Sequence, residues 1–224
     1  MEVKTNSNHN VWVFGYGSLC WKPPVAFEDK AVGYIRGYVR RFWQQSTDHR
    51  GTPDAPGRVV TLIPYDEWQT LDDYHESRED DVCWGVAYKI PEAEVEATRA
   101  YLDHREKNGY TIHFVDVYQP GRELPIVKDA MVYIGTTSNE HYIGPAPLDN
   151  IALQIYHSHG PSGANLEYLL NLAEWLRSVG PNAHDEHLFA LERRVRELML
   201  DMQTTAEEGE RLNMLSVPVA SQAD

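Results

Sequence analysis

The sequence predicts an α+β protein, with strands gathered in its first half and helices in its last third. Three observations carry this. Short runs of β-branched and aromatic residues, bounded by Gly and Pro, recur as far as Gly135. From Leu148 onward the apolar residues fall at three- and four-residue spacing, the period of a helix. No internal repeat and no interdomain linker interrupts the order. A sheet closed into a small mixed β-barrel, with flanking and C-terminal helices around it, is the simplest architecture for such a chain.

The elements follow in turn. Val11 to Phe14 is a short apolar run that stops at Gly15. Ala31 to Trp43 mixes β-branched and aromatic residues with Gly33 and Gly37, and reads as one long, bent or bulged strand. Arg58 to Pro64 and Cys83 to Ile90 are two more strands. Between them Tyr65 to Asp81 is acidic and polar, which suits a solvated insertion better than a binding surface. Pro91 opens a helix, since a proline amide has no helical partner to lose at that position. Its Val95, Thr98 or Arg99, Leu102 and Glu106 share one face, and Asn108-Gly109 ends it. Strands follow at Thr111 to Tyr118 and Ala130 to Gly135. The expected helices are Leu148 to His159, Asn165 to Val179, and Glu186 to Asp201, the last with Leu188, Leu191, Val195 and Leu198 on a core-facing stripe. Residues 1–10 are expected to be a disordered extension, residues 11–201 one domain with an acidic insertion at about 65–81, and residues 202–224 a flexible polar tail.

Composition narrows the function classes. At 224 residues with 42% apolar content, the chain suits one globular domain. A formal net charge of −14 repels phosphate backbones, so nucleic acid is a poor partner. No apolar run is long enough to span a bilayer, and the polar start carries no secretory pattern. Two cysteines do not make a disulfide framework, so a reducing, cytoplasmic setting is expected. Ten histidines are present, but no Cys-x-x-Cys pair or His-Glu-x-x-His helix accompanies them, and neither metal nor cofactor is expected. His184 and His187 stand one turn apart and read as solvated or capping residues before they read as ligands. With few unpaired features, a monomer is expected.

Four features could carry chemistry. In Gly15-Tyr16-Gly17-Ser18-Leu19, two glycines directly after a strand permit close approach of a ligand to the backbone, and successive amides can form an anion-binding nest. The same residues also serve as a plain tight turn. Glu106 shares a helix face with apolar Leu102 and lies in the last turn, where the helix dipole disfavours negative charge; both effects raise a carboxyl pKa and suit a general base. A helix-end Glu paired with a neighbouring cation fits the same pattern. Arg40, Arg41 and the stretch Ser46 to Gly51 could bind the carboxylates of an anionic small molecule, or form a salt-bridged loop. Cys20, between Leu19 and Trp21, is either a buried filler or a nucleophile awaiting a histidine.

Taken together these segments resemble a known family. Val-Phe-Gly-Tyr-Gly-Ser-Leu, Arg-Arg-Phe-Trp-Gln, Ser-Thr-Asp-His-Arg-Gly and Pro-Gly-Arg-Val-Val-Thr-Leu resemble, in that order, blocks of the ChaC family, the glutathione-specific γ-glutamylcyclotransferases. The resemblance continues through Tyr101 to Tyr110, Tyr142 to Leu148, Gly160 to Gly163 and Asp185 to Leu191, and spans roughly Val11 to Leu200. It implies the γ-glutamylcyclotransferase-like fold and the conversion of glutathione to 5-oxoproline and cysteinylglycine, without metal. It also implies that Gly15, Tyr16, Gly17, Ser18, Leu19 and Cys20 hold the γ-glutamyl group, and that Glu106 is the acid/base. Tyr110 and Tyr133 are added as pocket-lining candidates. The chain departs from the family in carrying Cys20 where relatives have an aliphatic residue, in a longer acidic stretch, and in unmatched extensions at both ends.

Overall fold

The structure is a computed structural model that describes residues 10–23, 26–74, 81–105 and 110–215. Its main sheet has five strands in the order β2-β5-β1-β7-β6, formed by β1 (Val11–Gly15), β2 (Asp29–Arg36), β5 (Val82–Ile90), β6 (Thr111–Val117) and β7 (Val127–Ile134). Central β1 runs antiparallel to β5 and parallel to β7, so the sheet is mixed. β3 (Tyr38–Ser46) and β4 (Gly57–Pro64) form a separate antiparallel hairpin.

The long strand expected over Ala31 to Trp43 is therefore two strands in two sheets. Gly37, at φ +76°, divides them. That left-handed angle suits glycine, and it turns the chain out of the main sheet into the hairpin. The expected bulge is present further on. Arg41 pairs with Thr61 but Gln44 with Val59, so Phe42 and Trp43 together face Val60.

The closed barrel is corrected as well. The edge strands β2 and β6 are not laddered together. They meet at one bridge, where Tyr34 and Tyr118 exchange two backbone hydrogen bonds of 2.9 and 2.8 Å. With β3 and β4 drawn away at Gly37, the remaining strands form an open sheet whose edge strands share one backbone bridge in place of a ladder.

The described part of the acidic segment, residues 65–74, is not simply solvated, and residues 75–80 lie outside the described residues. It begins with a one-turn helix, α1 (Tyr65–Trp68). The side chain of Asp73 is 4% exposed and accepts from Arg41 Nε at 2.6 Å and from Trp68 Nε1 at 2.7 Å. Pro91 precedes a 3-10 turn at Glu92–Glu94, which leads into α2 (Val95–Arg105). Thr98 and Leu102 are buried there, as the helical spacing requires. The Asn108-Gly109 stop lies outside the described residues.

Three helices cover the hairpin: α3 (Leu148–His157), α4 (Asn165–Val179) and α5 (Glu186–Leu215). α3 ends two residues before the expected His159, because His159–Gly160 (β8) pairs with Gly163–Ala164 (β9) in a minimal hairpin. α4 has the expected bounds. α5 continues past the expected Asp201 to Leu215, and its Leu188, Leu191 and Val195 are buried as a stripe. One core joins the layers, with Phe14, Ile35, Phe42, Trp43, Leu62, Ile134, Ile151 and Leu169 among its fully buried side chains.

Candidate active site

The end of β1 opens into a cavity of about 990 Å³. Its walls come from Val13 and Phe14 of β1, Tyr16 to Leu19 of the glycine loop, Gln44 to Ser46 of β3, and Val59 and Val60 of β4. Leu102 of α2, Tyr110, Tyr133 of β7, His141, and Tyr168 of α4 complete the lining, with exposed Tyr101 at its edge. Asp48, His49, Arg50, Pro161 and Ser162 stand along the mouth, with Asp48 and His49 exposed.

The glycine loop is held from behind. Ser18–Cys20 forms a 3-10 turn closed by Cys20 N–H donating to Gly17 O at 2.9 Å. Arg40 Nη1 donates to Tyr16 O at 3.0 Å, and the Tyr88 hydroxyl donates to Leu19 O at 2.8 Å. Burial pushes the Tyr88 phenol up to about 12, so it keeps the proton it donates. Tyr16 donates its own hydroxyl to Tyr133 O at 2.8 Å. These bonds direct loop carbonyls into the protein. Gly17 is required by space: a Cβ there would stand 2.6 Å from the Tyr168 hydroxyl and 3.1 Å from Val60 Cγ2.

The structure brings Tyr16, Gly17, Ser18, Leu19, Tyr110 and Tyr133 together on one cavity. Gly15 and Cys20 stand behind that wall, and both are buried. Cys20 Sγ lies 3.4 Å from Gly15 O, and burial pushes its thiol far above the usual range. A thiol in that state is a filler rather than a nucleophile. Glu106 lies outside the described residues; Tyr101, Leu102 and Tyr110 on either side of it line the cavity.

Arg40 and Arg41 take the salt-bridged alternative. Arg40 is buried and bound to Asp185, with Nη2 to Oδ2 at 2.8 Å, and it also donates to Trp84 O. Arg41 is committed to Asp73. Of the three arginines, Arg50 is the one that lines the cavity, and its Nη1 is shared between Ala164 O and Glu167 Oε2 at 2.9 and 2.8 Å. The two C-terminal histidines do not act together. His187 is buried and its Nε2 accepts from Phe42 N–H, whereas exposed His184 faces Glu186.

The described ChaC-like protein family matches residues 11–198 of this sequence. The chain belongs to the ChaC-like family. Among family relatives, the Schizosaccharomyces pombe protein named glutathione-specific gamma-glutamylcyclotransferase is 45% identical over 191 residues, covering 85% of this chain and 94% of that protein. The Saccharomyces cerevisiae protein of the same name is 43% identical, covering 78% of this chain and 89% of its own. A selenomethionine-labelled crystal structure of a yeast γ-glutamyl cyclotransferase specific to glutathione superposes with a TM-score of 0.75. It is 37% identical and covers 84% of this chain and 96% of that one. The ChaC-like chain also brings to its cavity polar residues that the sequence reading did not single out: Lys22, Gln44, Gln45, His141 and Ser162. Gln44 closes the Arg-Arg-Phe-Trp-Gln block and Ser162 falls within Gly160 to Gly163, but neither block marks the residue as facing a cavity.

Proposed function

We propose that this chain is a lyase, a glutathione-specific γ-glutamylcyclotransferase, and that it converts glutathione to 5-oxoproline and cysteinylglycine. The observation that carries the reading is the convergence of the glycine loop, Tyr110, Tyr133 and the Leu102 face of α2 on one cavity. The names of the family relatives support the same reaction.

The chemistry needs little beyond positioning. The α-amino nitrogen of a γ-glutamyl amide can reach its own γ-carbonyl. The new N–C bond closes a five-membered lactam, the C–N bond to cysteine breaks, and no water is consumed. Well-aligned intramolecular attack is worth effective molarities of about 10⁵–10⁸ M. The obstacle is protonation, because an ammonium nitrogen has no lone pair. Glu106 takes that proton and hands it to the departing cysteinyl nitrogen as the C–N bond breaks, and the second proton that the attacking nitrogen sheds on becoming the lactam N–H ends on the same nitrogen, which leaves as an ammonium. Backbone amides between Tyr16 and Leu19 hold the substrate's α-carboxylate or the oxyanion that develops on the γ-carbonyl. Two buried free cysteines suit the reducing cytoplasm, where the protein acts as a monomer.

The test is product analysis with millimolar glutathione and a chelator present. Equimolar 5-oxoproline and cysteinylglycine are expected. Free glutamate would mean that water attacks and that the cyclisation is wrong. Binding without any product would favour a γ-glutamyl-peptide sensor, and faster turnover of γ-Glu-Ala would reassign the substrate.

A further inference from the structure

Gln44 is 1% exposed yet lines the cavity. Its Nε2 donates to Asn139 Oδ1 at 3.3 Å. Asn139 Oδ1 also accepts from the backbone N–H of His141 at 2.8 Å, which identifies it as the oxygen. The Gln44 amide is thereby oriented, since the atom facing Asn139 must be the donor. Its Oε1 is left buried with no hydrogen-bond partner among the described residues. Two features put the oxygen there. The β3 bulge at Phe42 and Trp43 changes the register just before Gln44, and bulges characteristically re-aim the side chain that follows. The absence of a side chain at Gly135 leaves room, because a Cβ there would sit 2.7 Å from Oε1.

We propose that Gln44 is a substrate-positioning residue whose Oε1 accepts an N–H of the γ-glutamyl α-amino group, and the inference rests on the cyclotransferase reading. A buried acceptor without a partner carries an unpaid desolvation cost, which a ligand donor relieves. The cavity mouth, with exposed Asp48 and His49, suits the solvated peptide end of the substrate. Gln44 is buried instead, with Oε1 against Gly135, two residues past Tyr133. The γ-glutamyl head has one donor-rich group, its ammonium, and a neutral amide oxygen accepts from it in both protonation states. Holding one N–H fixes the nitrogen relative to the γ-carbon, which is the alignment that lactam closure requires.

The test compares glutathione with glutaryl-cysteinylglycine, the same peptide without the α-amino group, which can bind but cannot cyclise. In Gln44→Met the kcat/KM for glutathione should fall about tenfold or more, as for a lost hydrogen bond to a charged group. The inhibition constant of glutaryl-cysteinylglycine should change less than about twofold, since that ligand never made the bond. Equal weakening of both ligands, or of neither, overturns the proposal. If Gln44→Met does not fold, the structure of the Glu106→Gln protein with glutathione decides. Oε1 within about 3.2 Å of the substrate nitrogen supports the assignment, and a longer separation overturns it. If the wild-type protein does not turn over glutathione, it is the cyclotransferase reading that fails, before Gln44 is tested.

Discussion

The hydroxyl of Tyr16 donates to the backbone carbonyl of Tyr133 at 2.8 Å, joining two cavity-lining residues 117 positions apart. This bond ties the glycine loop to β7 directly, where the β1–β7 ladder has a single paired position, Val13 with Met131. Tyr16→Phe leaves a buried carbonyl short of a donor, at a cost of about 1–3 kcal/mol. The expected result is a lower urea midpoint together with a reduced kcat/KM for glutathione, since the loop loses an anchor. Unchanged stability and unchanged turnover would show that the bond positions nothing.

Arg40 should be a stability residue rather than a substrate ligand. Its guanidinium is buried, paired with Asp185, and bonded to the carbonyls of Tyr16 and Trp84. Asp185 also accepts from Leu188 N–H, in the first turn of α5. Arg40→Met leaves Asp185 without its cation, and breaking a buried pair in this way costs about 3–5 kcal/mol. Chemical denaturation checks the number. A well-folded Arg40→Met protein that has lost only glutathione affinity would return Arg40 to the carboxylate-binding role first considered for it.

Cys20→Ser should remain folded and active. The thiol is buried behind the glycine loop and held protonated by burial, while burial also pushes Cys83 up to about 11. Neither is an available thiolate near neutral pH. Alkylation by iodoacetamide should be slow in the native protein and fast in urea. A dead Cys20→Ser protein that still folds would revive the nucleophile.

The pH dependence of stability should include a contribution from Glu192. Burial pushes this carboxyl up, but hydrogen bonds from Arg177 and Arg196 outweigh that and hold it below the ordinary range. A carboxyl depressed in the folded state stabilises above its unfolded value of about 4.3, and the contribution is lost as pH falls through the folded value. Glu192→Gln should therefore cost about 1–2 kcal/mol at pH 7, and progressively less as pH falls below about 4.3 toward the folded value. An unchanged gap across that fall would remove Glu192 from the acid response.

Local signals explain which parts of this fold were legible in the sequence. α4 was readable to the residue, because Asn165 to Val179 carries a strong apolar period and stops at Gly180-Pro181. The glycine loop was readable because close backbone approach has few solutions other than glycine. The division at Gly37 was not, since Gly33 and Gly37 look alike in sequence and only Gly37 takes a positive φ. Gly33 stays in β2, opposite Gly85. The barrel reading ends elsewhere, at edge strands β2 and β6, which share one bridge at Tyr34 and Tyr118 in place of a ladder. Arg40 and Arg41 could be read as ligands or as salt-bridged residues because their partners, Asp185 and Asp73, are 145 and 32 residues away. Gln44 was silent for a similar reason. Its orientation depends on Asn139, 95 residues later, and on a bulge whose consequence is three-dimensional.

Glu106→Gln tests the proton transfer itself. Gln is nearly isosteric with Glu and keeps hydrogen-bonding capacity, but it cannot take a proton from the substrate ammonium at neutral pH. If Glu106 only orients the substrate, the amide should preserve most of the rate. If it is the base, kcat should fall by about 10²–10⁴ while glutathione binding, measured by calorimetry, stays close to wild type. The two roles also differ in pH response. A carboxylate base gives kcat a limb that is lost as pH falls through its pKa, and Glu106→Gln removes that limb along with the rate. A loss smaller than about tenfold with the limb retained would take the proton transfer away from Glu106, while leaving lactam closure at this cavity intact.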